Sequence, residues 1–326
     1  MIHSILHPMR LFINSQFLLA FILSCAPTLL AVEKFDTGEV CFSIRFKNEI
    51  SSYRLMTIFL LPNEKIELQA VVQQSTSRFQ LVANDGQLIS ERSSAWLWQA
   101  PAAPGIYPVR IVHFPSQEAM QLQMIVLVPF DEMDDGQLNG CFIGDYPEIP
   151  DKYADKYETP AGFVEITEEN QHTWITPHFQ LKQFLCKQTG GFPKYTVLQE
   201  RLLLKLELIL KTINLKGIRC QTLTIMSGYR TPYYNNAIGN VRFSRHIYGA
   251  AADFYIDESP KDGQMDDLNG DNRIDIRDAQ LIAEHIEALS QESSYKPFEG
   301  GLAVYKSTAS HGPFVHVDVR GFRARW

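Results

Sequence analysis

Three side chains in the second half of the chain are of the types that bind a catalytic metal ion. His246 and Asp253 stand close together in the sequence, and His316 follows much later. Two imidazoles and one carboxylate suit zinc, and three protein ligands leave a fourth position for water. A zinc ion held in this way has a formal charge of about +1 and brings the pKa of bound water toward about 7. The ligand set therefore predicts a site for the hydrolysis of an amide bond.

Three sequence motifs contain or precede these residues. The sequence SGYRTP occupies residues 227–232, SRHIYGAAAD occupies 244–253, and FVHVD occupies 314–318. With these motifs the chain resembles, over about residues 176–326, the M15 family of zinc D-Ala-D-Ala peptidases, in particular its bacterial branch of murein endopeptidases and carboxypeptidases. The resemblance implies an α+β domain with a mainly antiparallel sheet, helices on one side and zinc in a cleft. It also implies peptidoglycan peptides as the binding partner.

The resemblance assigns a role to individual residues of this sequence. The positions that match the zinc ligands of the family are His246, Asp253 and His316. Arg230 matches the arginine beside the substrate carbonyl, where a guanidinium would stabilise the developing oxyanion. A structural ion pair is the alternative role for Arg230. Ser244 and Tyr229 are expected to contact the substrate peptide.

The general base of the family is missing from its usual positions. Many members have a Glu three residues, or a His two residues, before the last ligand, where this chain has Pro313 and Phe314. Asp318 is the first substitute, because residues two apart on a strand point to one face and its carboxylate then lies beside His316. Asp318 could equally orient the ligand ring. His311 is the second candidate for the base.

A twelve-residue loop between the second and third zinc ligands has the pattern of a calcium site. Its expected ligands are Asp267, Asn269, Asp271, Arg273, Asp275 and Asp278. Arg273 would bind through its backbone carbonyl oxygen, and the other five through side-chain oxygens. Asn272 stands where such loops usually have Gly, and we expect it to be left-handed. The aspartate in the last position is typical of dockerin loops, and the following residues predict an amphipathic helix. We interpret 262–290 as an inserted structural calcium loop, with an ion-free acidic turn as the alternative.

The first half of the chain has a different pattern. Short β-rich runs alternate with turns at 41–46, 65–70, 94–98, 109–112 and 121–126. This spacing predicts an all-β sandwich over 33–130, and residues 96–107 resemble the strand-turn-strand of bacterial immunoglobulin-like modules. We interpret 131–175 as a connector. The predicted fold class is thus multidomain, an N-terminal all-β sandwich followed by an α+β zinc peptidase domain over 176–326. In that domain, an apolar stripe predicts a helix within 195–215, and residues 223–226 predict a buried strand.

The amino-terminal residues predict export. Arg10 precedes an apolar run at 17–23, and small residues follow up to Ala31, so 1–31 is interpreted as a signal peptide, with an uncleaved anchor as the alternative. Residues 22–25 loosely resemble a lipoprotein cleavage box, which would put a lipid on Cys25. We expect a periplasmic or cell-envelope location and no integral span in the mature chain. Four further cysteines allow disulfides or buried thiols, and both remain open.

Composition limits the classes of function. With 45% hydrophobic and 21% charged residues, the composition indicates globular domains, and the formal charge of −7 rules out an overall basic surface. No run of Lys and Arg is interleaved with aromatic residues, which argues against nucleic acid as a partner. The leading hypothesis is a zinc peptidase that cuts peptidoglycan stem-peptide or cross-link bonds involving D-amino acids. The alternatives are a non-catalytic, zinc-containing cell-wall-binding protein and, on fold analogy alone, a calcium-dependent adhesion module.

Overall fold

The computed structural model describes residues 35–71, 77–92, 94–154 and 156–326. The predicted signal peptide and Cys25 lie outside these residues. Phe35–Trp326 forms one compact unit, rich in β-structure, with several sheets and few helices. Within the described ranges, no helix is long and apolar enough to cross a membrane. The cysteines at 41, 141, 186 and 220 are free thiols, and the last two of them are buried.

Nine strands form two sheets in the first half of the described chain. They are β1 (Glu39–Phe46), β2 (Glu49–Tyr53), β3 (Leu55–Leu60), β4 (Lys65–Val71), β5 (Phe79–Ala83), β6 (Gln87–Arg92), β7 (Ala95–Gln99), β8 (Gly105–His113) and β9 (Ala119–Val126). The first sheet has the order β2-β1-β4-β7-β6, and the second has the order β3-β9-β8-β5. All five β-rich runs in the sequence are strands. Strands β2, β3, β5 and β6 were not predicted, and β6 is exposed throughout, without the alternation that indicates a half-buried strand.

The two sheets contact each other through their apolar faces. Every second residue of β4 is buried, as expected for a strand with one face in a core. Phe42 of the first sheet packs edge-on against Phe79 of the second, with 5.2 Å between the ring centroids. Strand β3 pairs with β9 in parallel, although most other pairs in these sheets are antiparallel.

The predicted connector contains regular structure of its own. The strands from here to the first long helix are β10 (Val128–Pro129), β11 (Gln137–Leu138), β12 (Cys141–Phe142), β13 (Gly162–Ile166), β14 (Trp174–Thr176), β15 (Phe179–Gln180) and β16 (Lys194–Thr196). Strand β13 pairs with β10 on one side and with β16 on the other. Short 3-10 helices lie at Phe130–Glu132, Asp151–Tyr153 and Leu181–Phe184.

The last third of the chain forms a five-stranded sheet and three helices. In chain order, the elements are α1 (Glu200–Leu215), β17 (Thr224–Ser227), α2 (Pro232–Ala237), β18 (Ala251–Tyr255), α3 (Ile276–Leu289), β19 (Gly301–Tyr305), β20 (Phe314–Asp318) and β21 (Ala324–Arg325), with 3-10 helices at Arg245–Tyr248 and Lys296–Phe298. The sheet order is β17-β18-β20-β19-β21, and only the last pair is parallel. Helix α3 packs on α1 and on strands β19 and β20.

The periodic patterns located the helices, and neighbouring strands set their ends. The predicted stripe on α1 is buried, but the helix begins at Glu200 because Lys194–Thr196 pairs with β13. The stripe predicted after the calcium-like loop is buried on α3. Strand β17 is only half-buried, contrary to the prediction, because it lies at the edge of its sheet.

Helix α1 ties the site-bearing sheet to the first sheet. Arg201 pairs with Glu49 at 2.7 Å, and two further ion pairs join the helix to β1 and the turn after it. On the same helix, the ammonium of Lys205 is fully buried and donates a 2.7 Å hydrogen bond to the carbonyl oxygen of Asp318. The helix therefore supports the end of β20, the strand that carries His316.

Candidate metal centre

The sheet brings Asp253 and His316 together. The two residues are direct partners in the antiparallel pair β18 and β20, so their side chains lie on one face. Nδ1 of His316 lies 2.7 Å from Oδ1 of Asp253. The long separation of these residues in the sequence is thus closed by strand register alone.

His246 reaches the same point from a tight turn. It lies in the 3-10 helix Arg245–Tyr248, which ends at Gly249 with a φ of +63°. A Cβ atom at Gly249 would lie 2.4 Å from the carbonyl oxygen of Val197, so both the left-handed conformation and the space require glycine. Nε2 of His246 lies 3.3 Å from Oδ1 of Asp253. The turn therefore aims the imidazole at the carboxylate.

The predicted zinc ligands form one buried group. His246, Asp253 and His316 offer ligand atoms that all lie within 4.8 Å of one another. Among the described residues, this is the only group of three His, Cys, Asp or Glu side chains that meets this distance. The residue types and their convergence fit a catalytic zinc site with three protein ligands.

A hydrogen-bond partner at one nitrogen of each imidazole directs the other nitrogen toward Asp253. Nδ1 of His246 lies 2.7 Å from the carbonyl oxygen of Gly228, to which it donates, so that Nε2 faces Asp253. Nε2 of His316 lies 3.4 Å from Oδ2 of Asp318, and Nδ1 faces Asp253. Such partners fix the tautomer and the orientation of ligand imidazoles.

The electrostatics of these three side chains favour a carboxylate between imidazoles. Burial opposes the charged form of Asp253, but hydrogen bonds and charges from His246 and His316 lower its pKa well below the usual range. Burial lowers the pKa of His246. Burial also opposes protonation of His316, yet hydrogen bonds to Asp253 and Asp318 raise its pKa overall. His246 is therefore the more readily deprotonated ligand.

Arg230 lies against the ligand carboxylate. Its Nη2 donates to Oδ2 of Asp253 at 2.5 Å, and its Nε donates to Oγ of Ser227 at 2.8 Å. Ser227 and Asp253 are partners across β17 and β18, so one strand pair positions the arginine and the ligand. The ion pair considered from the sequence is present, and Arg230 also lines the cavity described next.

A cavity of about 500 Å³ opens beside the three ligands. Its remaining lining is aromatic and basic, with two small polar side chains and one aliphatic residue: Tyr157, Arg230, Asn240, Val241, Phe243, Ser244, Arg245, Tyr305, Phe314, Arg320 and Trp326. Ser244 is buried at this wall, where the sequence predicted a substrate contact. Within the described part of the chain, the lining has no imidazole or carboxylate other than those of the ligands.

The two candidates for the general base lie elsewhere. Asp318 is fully buried, accepts hydrogen bonds from the backbone N–H of Gly301 and from Arg320, and meets His316 at the nitrogen that faces away from Asp253. Burial opposes its charge, but His316 and Arg320 lower its pKa. This geometry favours the orienting role for Asp318. His311 lies on the exposed loop before β20, bonds to the carbonyl oxygen of Gly312, and does not line the cavity.

Tyr229, for which the sequence predicted a substrate contact, lies away from the cavity. The side chain is 1% exposed, and it packs in a separate apolar cluster. Its hydroxyl lies 2.9 Å from that of Tyr146, and it does not line the cavity. Residues next to each other in this motif face different surroundings, so the tyrosine is part of the core and only Arg230 faces the site.

Sequence reasoning missed the residues that wall the cavity near the carboxyl end. Arg320 holds Asp318 through two nitrogens, and its guanidinium lies 4.8 Å from the ring centroid of Trp326. Trp326 in turn lies 5.3 Å from the ring of His316, and its Nε1 donates to the hydroxyl of Tyr305. The only signal was the cluster of basic and aromatic residues after the last ligand.

The predicted calcium loop is folded, and its acidic side chains are engaged by the protein. Asn272 has a φ of +62°, which confirms the expected left-handed conformation. Asp267 accepts hydrogen bonds from three backbone N–H groups of the loop. Arg277 pairs with Asp271 and Asp275, both at 2.8 Å. Asp278 is buried and caps the loop and the helix start, and the backbone N–H of Arg273 bonds to Asp271.

Comparison with known proteins agrees with this site. The family model described as Peptidase M15 matches residues 177–268. This range contains two of the ligands, His246 and Asp253, together with Arg230 and Ser244, and it ends before His316. No curated protein and no solved structure matches the chain. The match supports a zinc-dependent metallopeptidase in this region, with peptides as substrates.

Proposed function

We propose that this chain is a zinc peptidase that hydrolyses amide bonds involving D-amino acids in peptidoglycan stem peptides or cross-links. The observation that carries the proposal is the convergence of His246, Asp253 and His316 at the wall of a cavity large enough for a short peptide. The match to Peptidase M15 over residues 177–268 supports it independently. Bound zinc would polarise the scissile carbonyl and acidify a water molecule.

The side chains of the cavity have separate parts in this proposal. Arg230 is held by Ser227 and Asp253 at the edge of the metal group, from where its guanidinium can stabilise the oxyanion that develops during hydrolysis. Ser244 binds the substrate backbone. Asp318 holds Nε2 of His316, so that Nδ1 stays directed toward the metal position.

The second candidate is a non-catalytic zinc protein that binds the cell wall. One observation favours it: within the described chain, the cavity lining offers no imidazole or carboxylate beyond the ligands, and the family's base positions hold Pro313 and Phe314. The peptidase remains our conclusion because Arg230 lines the cavity while bonded to the carboxylate of Asp253, the position from which a guanidinium would stabilise an oxyanion at the metal.

Hydrolysis of a defined stem peptide separates the two candidates. The zinc-loaded chain is incubated with synthetic pentapeptide ending in D-Ala-D-Ala and with a cross-linked dimer, and the products are identified by mass. Release of D-Ala indicates a carboxypeptidase, and cleavage of the dimer indicates an endopeptidase. Intact peptides together with measurable zinc binding would favour the wall-binding protein.

The setting of the peptidase is also part of the proposal. We propose an exported protein of the periplasm or cell envelope, in which the sheets of 33–130 form a domain that positions the peptidase domain of 176–326. The test is the location of the full-length protein in fractionated cells, compared with a chain that lacks residues 1–31. Equal distribution of both proteins would contradict export.

We further propose that the loop of 267–278 binds one structural calcium ion. The loop fold, the left-handed Asn272 and the helix α3 directly after it support this role. Arg277 would compete with the ion because its half-exposed side chain pairs with Asp271 and Asp275. Calcium should therefore raise the melting temperature of the native chain, and Arg277→Ala should increase the calcium affinity. No effect of calcium on either chain would contradict the proposal.

A further inference from the structure

Three arginines line the cavity, and within the described part of the chain two of them have an acidic partner and Arg245 has none. Arg230 pairs with Asp253, and Arg320 pairs with Asp318, both through side-chain contacts of 2.5 Å. Within the described ranges, Arg245 makes no ion pair with any carboxylate. Among the described residues, Arg245 is therefore the one positive charge of the cavity without an acidic partner, although the whole chain has a formal charge of −7.

Arg245 is held in a fixed orientation. Its guanidinium carbon lies 4.0 Å from the centroid of the Tyr157 ring, and its Nη1 donates to the carbonyl oxygen of Lys156 at 2.5 Å. Its Nε is buried and has no hydrogen-bond partner among the described residues. An arginine that is stacked on an aromatic ring loses little further side-chain freedom when it binds a planar anion. The free N–H groups of Arg245 are thus prepared for a ligand.

Arg245 lies close to the metal group, so a ligand bound to it would lie near the reacting bond. Arg245 directly precedes the metal ligand His246, and both residues line the same cavity. Five of the eleven lining residues other than the metal ligands are aromatic, and among the described residues the wall carries no other free acid or base. Arg245 is partly buried, and a carboxylate from a bound molecule would compensate its charge with charge-assisted hydrogen bonds.

We propose that Arg245, stacked on Tyr157, is the receptor for a free carboxylate of the peptide substrate. This inference rests on the proposed function, since it assumes that the cavity binds peptides. It makes Arg245 a specificity-determining residue that selects peptides with an unamidated carboxylate near the bond to be cut. That carboxylate has two possible sources in a stem peptide: the carboxyl terminus, or the side chain of an acidic or diamino-acid residue.

The test compares peptide acids with their amides. The probes are a stem pentapeptide, the same peptide with its terminal carboxylate amidated, and the same peptide with the carboxylate of its diamino-acid side chain amidated. Affinities are measured by calorimetry on the full chain after chelation of metal, so that no peptide is hydrolysed and no carboxylate binds zinc. Hydrolysis by the zinc-loaded chain is followed separately, so a failure of the peptidase activity is distinguished from a failure of carboxylate recognition.

We expect amidation of one of the two carboxylates to weaken binding by about 10- to 100-fold, as for loss of a hydrogen bond to a charged group. Arg245→Gln should remove this preference, and Arg245→Lys should keep part of it because the positive charge remains. Arg242→Gln is the matched control, since Arg242 is exposed on the same loop and lies outside the cavity lining. The carboxylate whose amidation matters is the source that binds.

Several results would overturn the proposal. Equal affinity of the acid and both amides for the native chain would do so without any variant, and so would absence of measurable binding by the acid. An unchanged preference in a folded Arg245→Gln chain, verified by circular dichroism, would also overturn it. If Arg245→Gln does not fold, the affinities for the acid and the amides are compared between the native chain and Arg245→Lys. Full retention of the preference for the acid in the lysine variant would count against a planar guanidinium receptor.

Discussion

The Nε2 atom of His316 lies 3.4 Å from Oδ2 of Asp318, on the side of the ring that faces away from Asp253. The carboxylate of Asp318 therefore orients the imidazole of His316 through the nitrogen that does not face the metal position. Asp318→Asn should weaken zinc binding about 10- to 100-fold, as removal of such supporting partners does at metal sites. Zinc affinity is measured by competition with a chromophoric chelator, with the exposed Asp262→Asn as the control. Unchanged zinc affinity together with a large fall in kcat would instead identify Asp318 as the base.

Substitution of Arg230 distinguishes its two possible roles, stabilisation of the oxyanion and a structural ion pair. If its guanidinium stabilises the oxyanion, Arg230→Gln should lower kcat by about 10²- to 10³-fold, while the zinc content remains one ion per chain. The measurement is steady-state hydrolysis beside metal analysis of the same sample. If the ion pair with Asp253 is its whole role, the variant loses zinc affinity or stability, and kcat per bound zinc stays at the native value.

Gly249 should be indispensable to the turn that carries His246. Gly239 has a φ of +70° and open space around it. Gly239→Ala should therefore lower the free energy of unfolding only by the strain of a left-handed residue, about 1 to 2 kcal/mol. Gly249→Ala adds an overlap with the carbonyl oxygen of Val197, and we expect at least about 1 kcal/mol more. Urea denaturation of both variants measures the difference. Equal costs would mean that the backbone at Val197 yields easily.

Lys205 should make stability depend on pH. Burial lowers its pKa from 10.5 to about 7, so the unfolded chain binds more protons than the folded chain between these values. Stability from this group therefore rises as pH rises through that window, by about 2 kcal/mol between pH 7 and pH 9. Lys205→Met should lack this rise, whereas Lys211→Met on the same helix should keep it. Parallel stability curves for Lys205→Met and the native chain would refute the assignment.

The sequence predicted those parts of the site that depend on local pattern. The ligands stand in short motifs, and the apolar stripes of α1 and α3 have the period of a helix, so both could be identified from residue types and spacing. Residue types and spacing could not indicate which side chains of a motif face the site. Tyr229 and Arg230 are neighbours, yet only the packing of the sheet against the middle of the chain puts the first in the core and the second in the cavity.

Long-range contacts account for the other misses. Trp326 reaches the ring of His316, and Arg245 lies against Tyr157, through loops whose course no spacing indicates. The sequence left two roles open for Asp318, general base and orienting group, because a residue two positions after His316 lies beside its ring in either role. Only the side of the imidazole that it contacts distinguishes the two, and this depends on Arg320 and the backbone of Gly301.

The central claim is that His246, Asp253 and His316 hold zinc for hydrolysis of peptidoglycan peptides. It is tested most directly by incubating the zinc-loaded chain with purified sacculi and separating the muropeptides beside a His246→Ala control. We predict loss of cross-linked dimers or of terminal D-Ala with the native chain and an unchanged profile with the variant. Unchanged profiles for both chains, with zinc bound to the native one, would contradict the claim.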